Sequence, residues 1–146
     1  MPSGNWLLPA GLPAGLPTRF LTGAAVLALA GCSSLAGRES AATAVAEHFQ
    51  RSHLRPQTAC RDLAPATREE LELDAESACP EALRDLGLPV AHRVTGVDVY
   101  GRQARVVLDR DTLFLASIDG DWKITAAGCT PPDTAERPYD CLLKGG

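Results

Sequence analysis

Aromatic side chains are scarce in this chain: two Trp, two Tyr and three Phe, 5% of 146 residues. Lysine is scarcer still, with only Lys123 and Lys144 against twelve arginines, and acidic residues exceed basic ones by four. An acidic balance provides no electrostatic footprint for nucleic acid or anionic headgroups. No apolar run reaches the roughly 20 residues that a membrane-spanning helix needs. There is no C-x-x-C, no Ser-His-Asp signature, no phosphate loop and no metal-binding helix motif. These absences leave no named reaction, and we expect no cofactor and no metal.

What is present is decisive for location. Phe20 to Ala30 is an apolar run of 11 residues, inside the ~7–15 of a signal h-region, with Arg19 before it. Leu29-Ala30-Gly31-Cys32 closes the run as a lipobox, the signal for lipidation on cysteine and cleavage just before it. The expectation is a cleaved lipoprotein signal over 1–31, a lipidated tether over 32–38 and one domain over 39–146. Cys32 becomes the mature N-terminus, and its lipid holds the protein on the extracytoplasmic face of the cell membrane. One acyl chain anchors marginally, and two or more anchor stably.

The mature chain has 115 residues, enough for one modest domain. Its remaining cysteines are Cys60, Cys79, Cys129 and Cys141. An even number in an exported domain implies disulfides, and four cysteines allow three pairings. The local pairing, Cys60–Cys79 and Cys129–Cys141, is the one adopted: the first closes a loop around a short helix, the second pins a Pro-rich tail onto the last strand. Irregular spacing speaks against zinc. The acidic run Glu69 to Glu76 lacks the Gly and ligand alternation of a calcium loop and reads as a solvated helix face.

Ala42, Val45, Ala46 and Phe49 recur at i, i+3, i+4, i+7, the stripe of a core-facing helix. Glu47, His48, Gln50 and Arg51 fall on its polar side, and Pro56 ends it. Thr67-Arg68-Glu69-Glu70 has capping-box form ahead of Leu71. Pro80 opens a third helix that Gly87 closes. From Val94 the period becomes two: Val97/Val99, Ala104/Val106/Leu108, Leu113/Leu115 and Trp122/Ile124/Ala126. Asp119-Gly120 is a strong hairpin signal, since both turn residues must accept positive φ. The expected fold is α+β, with N-terminal helices packed on a curved antiparallel four-stranded sheet.

Ala42 to Phe49, Cys60-Arg61-Asp62-Leu63-Ala64-Pro65-Ala66-Thr67, Cys79-Pro80-Glu81-Ala82-Leu83 and Asp121 to Cys129 carry a resemblance. The order of these elements resembles small actinobacterial lipoproteins whose domain is similar to the nuclear transport factor two-like (cystatin-like) α+β roll. The resemblance implies a sheet wrapped on a long helix, often around an apolar pocket. It implies no activity, because the superfamily holds isomerases, cyclases and dehydratases beside many binding modules.

Isomerase-like chemistry needs a carboxylate and hydrogen-bond donors together in an apolar pocket. The candidates are Asp98, Asp111, Tyr100, His48, His53 and His92, and none is paired by spacing. Asp98 alternates away from Val97 and Val99, Asp109 and Asp111 flank a turn where Asp serves the backbone, and His53 suits a helix C-terminus. Phe49, Phe114 and Trp122 are the aromatics that would line a ligand pocket, with core packing as the plainer role. Tyr139 is expected against the sheet edge beside Cys141. The leading expectation is a non-catalytic envelope module binding a small apolar ligand or a protein. The alternatives are an extracytoplasmic isomerase or cyclase and an accessory subunit of a membrane complex.

The lipobox generates the first prediction. Cys32→Ser should leave uncut precursor that no longer partitions into the detergent phase, as read by mass spectrometry and phase separation. Maturation at the same site with retained membrane partitioning would refute it.

Overall fold

The computed structural model describes residues 29–145, with side chains from Ser34 onward apart from His53. The expected signal segment lies outside the described residues as far as residue 28, and so does the side chain of Cys32. Helix α1 (Leu29–Arg51) leads through a 3₁₀ turn (Ser52–Leu54) to α2 (Pro56–Ala59), α3 (Pro65–Ala75) and α4 (Cys79–Asp85). Five strands follow: β1 (Val94–Tyr100), β2 (Gln103–Leu108), β3 (Thr112–Ile118), β4 (Asp121–Thr130) and β5 (Asp140–Lys144). They form one antiparallel sheet in the order β1-β2-β3-β4-β5.

The stripe expected on α1 is the buried one: Ala42 and Ala46 are fully enclosed and Phe49 is 3% exposed. Three small or flat residues let the helix approach β1, β2 and β4 closely. The helix begins well before Glu39. Residues 33–38, expected as a tether, continue it, and Arg38 lies over the Trp122 ring at 5.6 Å while donating to the Gly101 carbonyl. A cation over an indole face, with one of its N–H groups on a carbonyl, fastens the first turns of α1 to two hairpin ends at once. Gln50 departs from expectation too. It is 8% exposed rather than on the polar side.

Ala104, Val106, Leu108, Leu113, Leu115, Trp122 and Ile124 face the helices, as the period of two requires. A register shift where Phe114 and Leu115 meet Ala126 and Ile124 then changes the phase. One extra residue on β4 turns Ala126 toward Phe114 on the outer face, and Ala127 takes over the core position. The Asp119-Gly120 turn has φ of 52° and 93°, the paired left-handed geometry that only such residues accept readily. In the β1–β2 turn Gly101, at φ 56°, serves the same purpose.

The sheet has five strands, not four. The Pro-rich tail returns as β5, where Cys141 stands directly opposite Cys129 and Leu143 is 2% exposed. Expectation missed β5 because Asp140 to Lys144 is short and Pro131-Pro132 looked terminal. Along its outer edge β4 has two partners. Beyond the bulge β5 pairs with it, and before the bulge the stretch 62–64 does, through Ala64 N–H to Ile124 O at 2.8 Å and Ile124 N–H to Asp62 O at 2.8 Å.

The capping box at Thr67 is absent. Helix α3 starts at Pro65, whose missing N–H costs nothing at that position, and the buried Thr67 hydroxyl donates toward Thr125 O at 3.4 Å. Helix α4 carries Pro80 in its first turn as expected, and Gly87 follows it at φ 62°. Glu72 accepts from Arg68 and from Cys79 N–H, so one carboxylate joins α3 to the start of α4. Those two donors hold its pKa below the ordinary value.

Both expected disulfides are present, Cys60–Cys79 and Cys129–Cys141. Each should stabilise by roughly 3 kcal/mol on chain-entropy grounds, yet they are not equivalent. Cys60 and Cys79 are 4% and 0% exposed, so serine there also buries two hydroxyls. Cys141 is only half-buried, and the ladder and Leu143 still hold β5. The double Ser variant at 60 and 79 should therefore melt roughly 10–20 °C below wild type and below the variant at 129 and 141. The latter should show early cleavage between Thr130 and Tyr139. Thermal melts with timed proteolysis decide this, and equal melting temperatures would count against it.

Candidate functional site

After Gly87, at φ 62°, the chain leaves α4 without regular structure as far as Arg93. Residues 88–93 cross the end of α1 without pairing in the sheet, so their backbone donors need side-chain acceptors. Two provide them: Gln50 Oε1 takes Ala91 N–H at 3.3 Å, and Asp109 Oδ1 takes His92 N–H at 3.0 Å. That contact holds the Asp109 carboxyl below the usual range. Leu88 and Ala91 are thereby pressed inward while Val90 and His92 turn outward.

Between this segment and α1 lies a groove of about 360 Å³. Its floor is Gln50, Ala91 and Leu108, and its walls include Val90, Val94 and Leu54. Leu54 is 90% exposed. The volume falls within the ~300–1,000 Å³ of small-molecule and side-chain sites. The polar rim is His92 with the pair Glu47–Arg51, 3.3 Å apart and one helical turn from each other.

Beneath the floor is the one carboxylate buried from solvent among the described residues. Asp111 is 5% exposed. Its Oδ2 accepts from Gln50 Nε2 at 3.0 Å and its Oδ1 from Cys129 N–H at 3.0 Å. Burial pushes its pKa up, and the N–H groups of Cys129, Thr112 and Gly128 with the Gln50 amide oppose that only in part. With both oxygens occupied, Asp111 is a structural junction rather than an open base.

Two further clusters lie elsewhere. On the outer sheet face Arg105 makes two contacts to Asp98 Oδ2, at 3.0 and 2.6 Å, and one to Tyr139 Oη at 3.3 Å. Tyr139 stands edge-on to Phe114 at 5.0 Å. It therefore crosses the face of the sheet rather than sitting at its edge beside Cys141. His48 Nδ1 meets Asp62 Oδ2 at 2.7 Å on the other flank of α1.

The three aromatics expected to share a pocket are dispersed. Phe49 is core at the far end of α1 and also walls a void of about 50 Å³ with Leu83 and Leu88. Trp122, 7% exposed, lies under Arg38 at the near end. Eleven residues separate Arg38 from Phe49, about 16 Å of helical rise. Phe114 is on the outer face with Tyr139. Among the described residues no three His, Cys, Asp or Glu side chains gather as a metal site, and no helix is long and apolar enough to cross a membrane.

The sequence reading missed the Gln50–Asp111 and His48–Asp62 contacts. Gln50 and Asp111 are 61 residues apart, and His48 and Asp62 are 14 apart. Neither separation carries a signal until the fold closes it. Compared with known protein families, curated proteins and solved structures, the chain matches none.

The buried carboxyl generates a pH prediction. A raised native pKa means the native state holds its proton at pH values where the unfolded chain has lost it, so stability falls as pH rises through that window. Relative to Asp111→Asn, wild type should lose ground from acidic toward neutral pH. Asp111→Ala strands the Cys129 N–H and should cost about 1–3 kcal/mol at either end. Urea titrations across pH would contradict this if the wild-type-to-Asn difference stayed flat.

Proposed function

We propose that this protein is a lipid-anchored, extracytoplasmic, non-catalytic binding module, held on the membrane through Cys32 and presenting the groove at the far end of α1 to a protein partner. In this reading the domain is a small cystatin-like roll, with which a helix laid across a five-stranded antiparallel sheet is compatible. The observation that carries it is Leu54. A leucine 90% exposed at the lip of a groove whose walls are Val90 and Val94 is an apolar surface awaiting cover. The buried ionisable group nearby is consumed by structure, which favours binding over the isomerase or cyclase alternative. Helix α1 gives the module its reach: Gln50 lies eighteen residues beyond Cys32, about 27 Å along the axis.

Photo-crosslinking in cells tests the reading. A diazirine side chain at position 54 should yield a discrete protein adduct that disappears with Cys32→Ser. The same group at position 73, where leucine is also exposed (70%), should not yield it. Equal labelling at both positions, or none at 54, would refute the reading.

A further inference from the structure

We propose that the free edge of β1 takes up an extended peptide of a partner protein as a sixth strand, with an apolar side chain of that peptide entering the groove at the Val94 end. This inference deepens the binding-module reading and rests on it.

The argument starts from hydrogen-bond phase. Arg102 O accepts from Ser117 N–H at 2.8 Å, so Arg102 turns its backbone toward β3. In an antiparallel ladder successive residues alternate between neighbours, so Gln103 and Arg105 turn toward β1. Their partners are Tyr100 and Asp98. Val97 and Val99 consequently direct N–H and C=O away from β2, where no strand lies beside them among the described residues. Such a row of unpaired groups is a template for another chain unless charge, proline or a covering element blunts it.

The two sheet edges differ in this respect. On β5, Asp140 and Lys144 flank a five-residue strand against which α3 packs. A Cβ at Gly145 would come within 2.7 Å of the Thr67 Cα, so that edge is closed by backbone. On β1 no lysine, arginine or proline intervenes between Val94 and Tyr100. Asp98, its one charge, faces the outer sheet face and is held by Arg105. The register shift between Val94 and Gly96 bends the strand only at its start, where the groove opens. Edge and groove are thus continuous: one offers main-chain pairing, the other a pocket for a side chain, the two halves of recognition by strand addition.

A second copy is the other natural occupant, and anchor geometry argues against it. Helix α1 runs antiparallel to β1, with Arg38 at Gly101 and Gln50 at Ala91. Antiparallel pairing of two β1 edges turns one copy by half a revolution about the sheet normal. The two α1 N-termini then point in opposite directions, so with α1 standing away from the membrane, as the binding-module reading has it, only one of the two lipids reaches the bilayer.

The test uses the full lipidated chain in detergent, panned against a displayed library of short random peptides. In the free protein the amides of Val97 and Val99 should exchange faster than those of Asp98 and Tyr100. Selected peptides should share apolar residues at alternate positions and slow exchange at Val97 and Val99. Val97→Pro deletes an outward N–H, a change tolerated at an edge, and should weaken binding roughly tenfold or more. Selected peptides N-methylated at alternate amides should lose binding by the same factor, which holds even if the proline variant does not fold. Protection mapping elsewhere, no peptide enrichment, indifference to N-methylation, or a dimer whose β1 amides are already protected would overturn the inference. If the edge result fails while the adduct at position 54 persists, strand addition is wrong and the binding module stands; loss of both removes the module as well.

Discussion

The rest of this structure depends on one buried carboxylate. Desolvating Asp111 costs several kcal/mol unless hydrogen bonds offset it, and its acceptors meet donors from three separate elements. Gln50 brings the last turns of α1, Cys129 brings β4 where β5 joins it, and Thr112 with Gly128 completes the ring of N–H groups. Because Gln50 also holds Ala91, the same junction positions the segment that walls the groove. Apolar packing of Ala42, Ala46 and Phe49 brings α1 to the sheet, but packing alone leaves small slides along the axis nearly neutral. A fixed amide between a carboxylate and a backbone N–H removes that freedom.

The covalent and hydrogen-bonded restraints divide the labour. Cys60–Cys79, together with Glu72 across α3 and α4, rigidifies a helical layer that has little apolar surface of its own. Cys129–Cys141 secures the strand that covers the upper half of β4, and the 62–64 stretch covers the lower half. Protection of β4 is thus assembled from two segments about eighty residues apart in sequence, while β1 at the other side has only β2 and the flank of α1.

Much of this was legible from residue type. The α+β order, the α1 stripe, the inward faces of β1–β3, the Asp119-Gly120 turn and Gly87 follow from local periodicity and turn chemistry, and both disulfides from pairing each cysteine with its neighbour in sequence; the tertiary structure did not override these. What was not legible depends on contacts between distant segments. β5 is too short to carry a period, and Ala126 was grouped with the inward face of Trp122 and Ile124 because a bulge at residue 125 leaves no mark in the alternation; it is buried, but beside Phe114. Thr67 had every feature of a cap, but Pro65 two residues earlier starts the helix and a β4 carbonyl claims its hydroxyl. Scarcity of aromatics favoured core packing of Phe49, Phe114 and Trp122 over a shared pocket, and Phe49 and Trp122 are core, but scarcity says nothing about direction and Phe114 faces outward. The groove has no Phe, Tyr or Trp in its wall, and Gln50 in its floor read as part of the polar side of α1.

The parallel bridge between Leu63 and Ile124 bears on the order in which the chain can become a protein. Its two sides are 61 residues apart, as are Gln50 and Asp111, so the helices written first find their seats only on strands written last. Loop closure over such distances must precede the contacts that reward it, which makes folding slow relative to chains with local contacts. Helix α1 packs on β1, β2 and β4, so its seat is complete only once the β3–β4 hairpin has followed it. The layer of α2, α3 and α4 carries its own contacts and disulfide, whereas the seat of α1 needs strands from the far end of the chain.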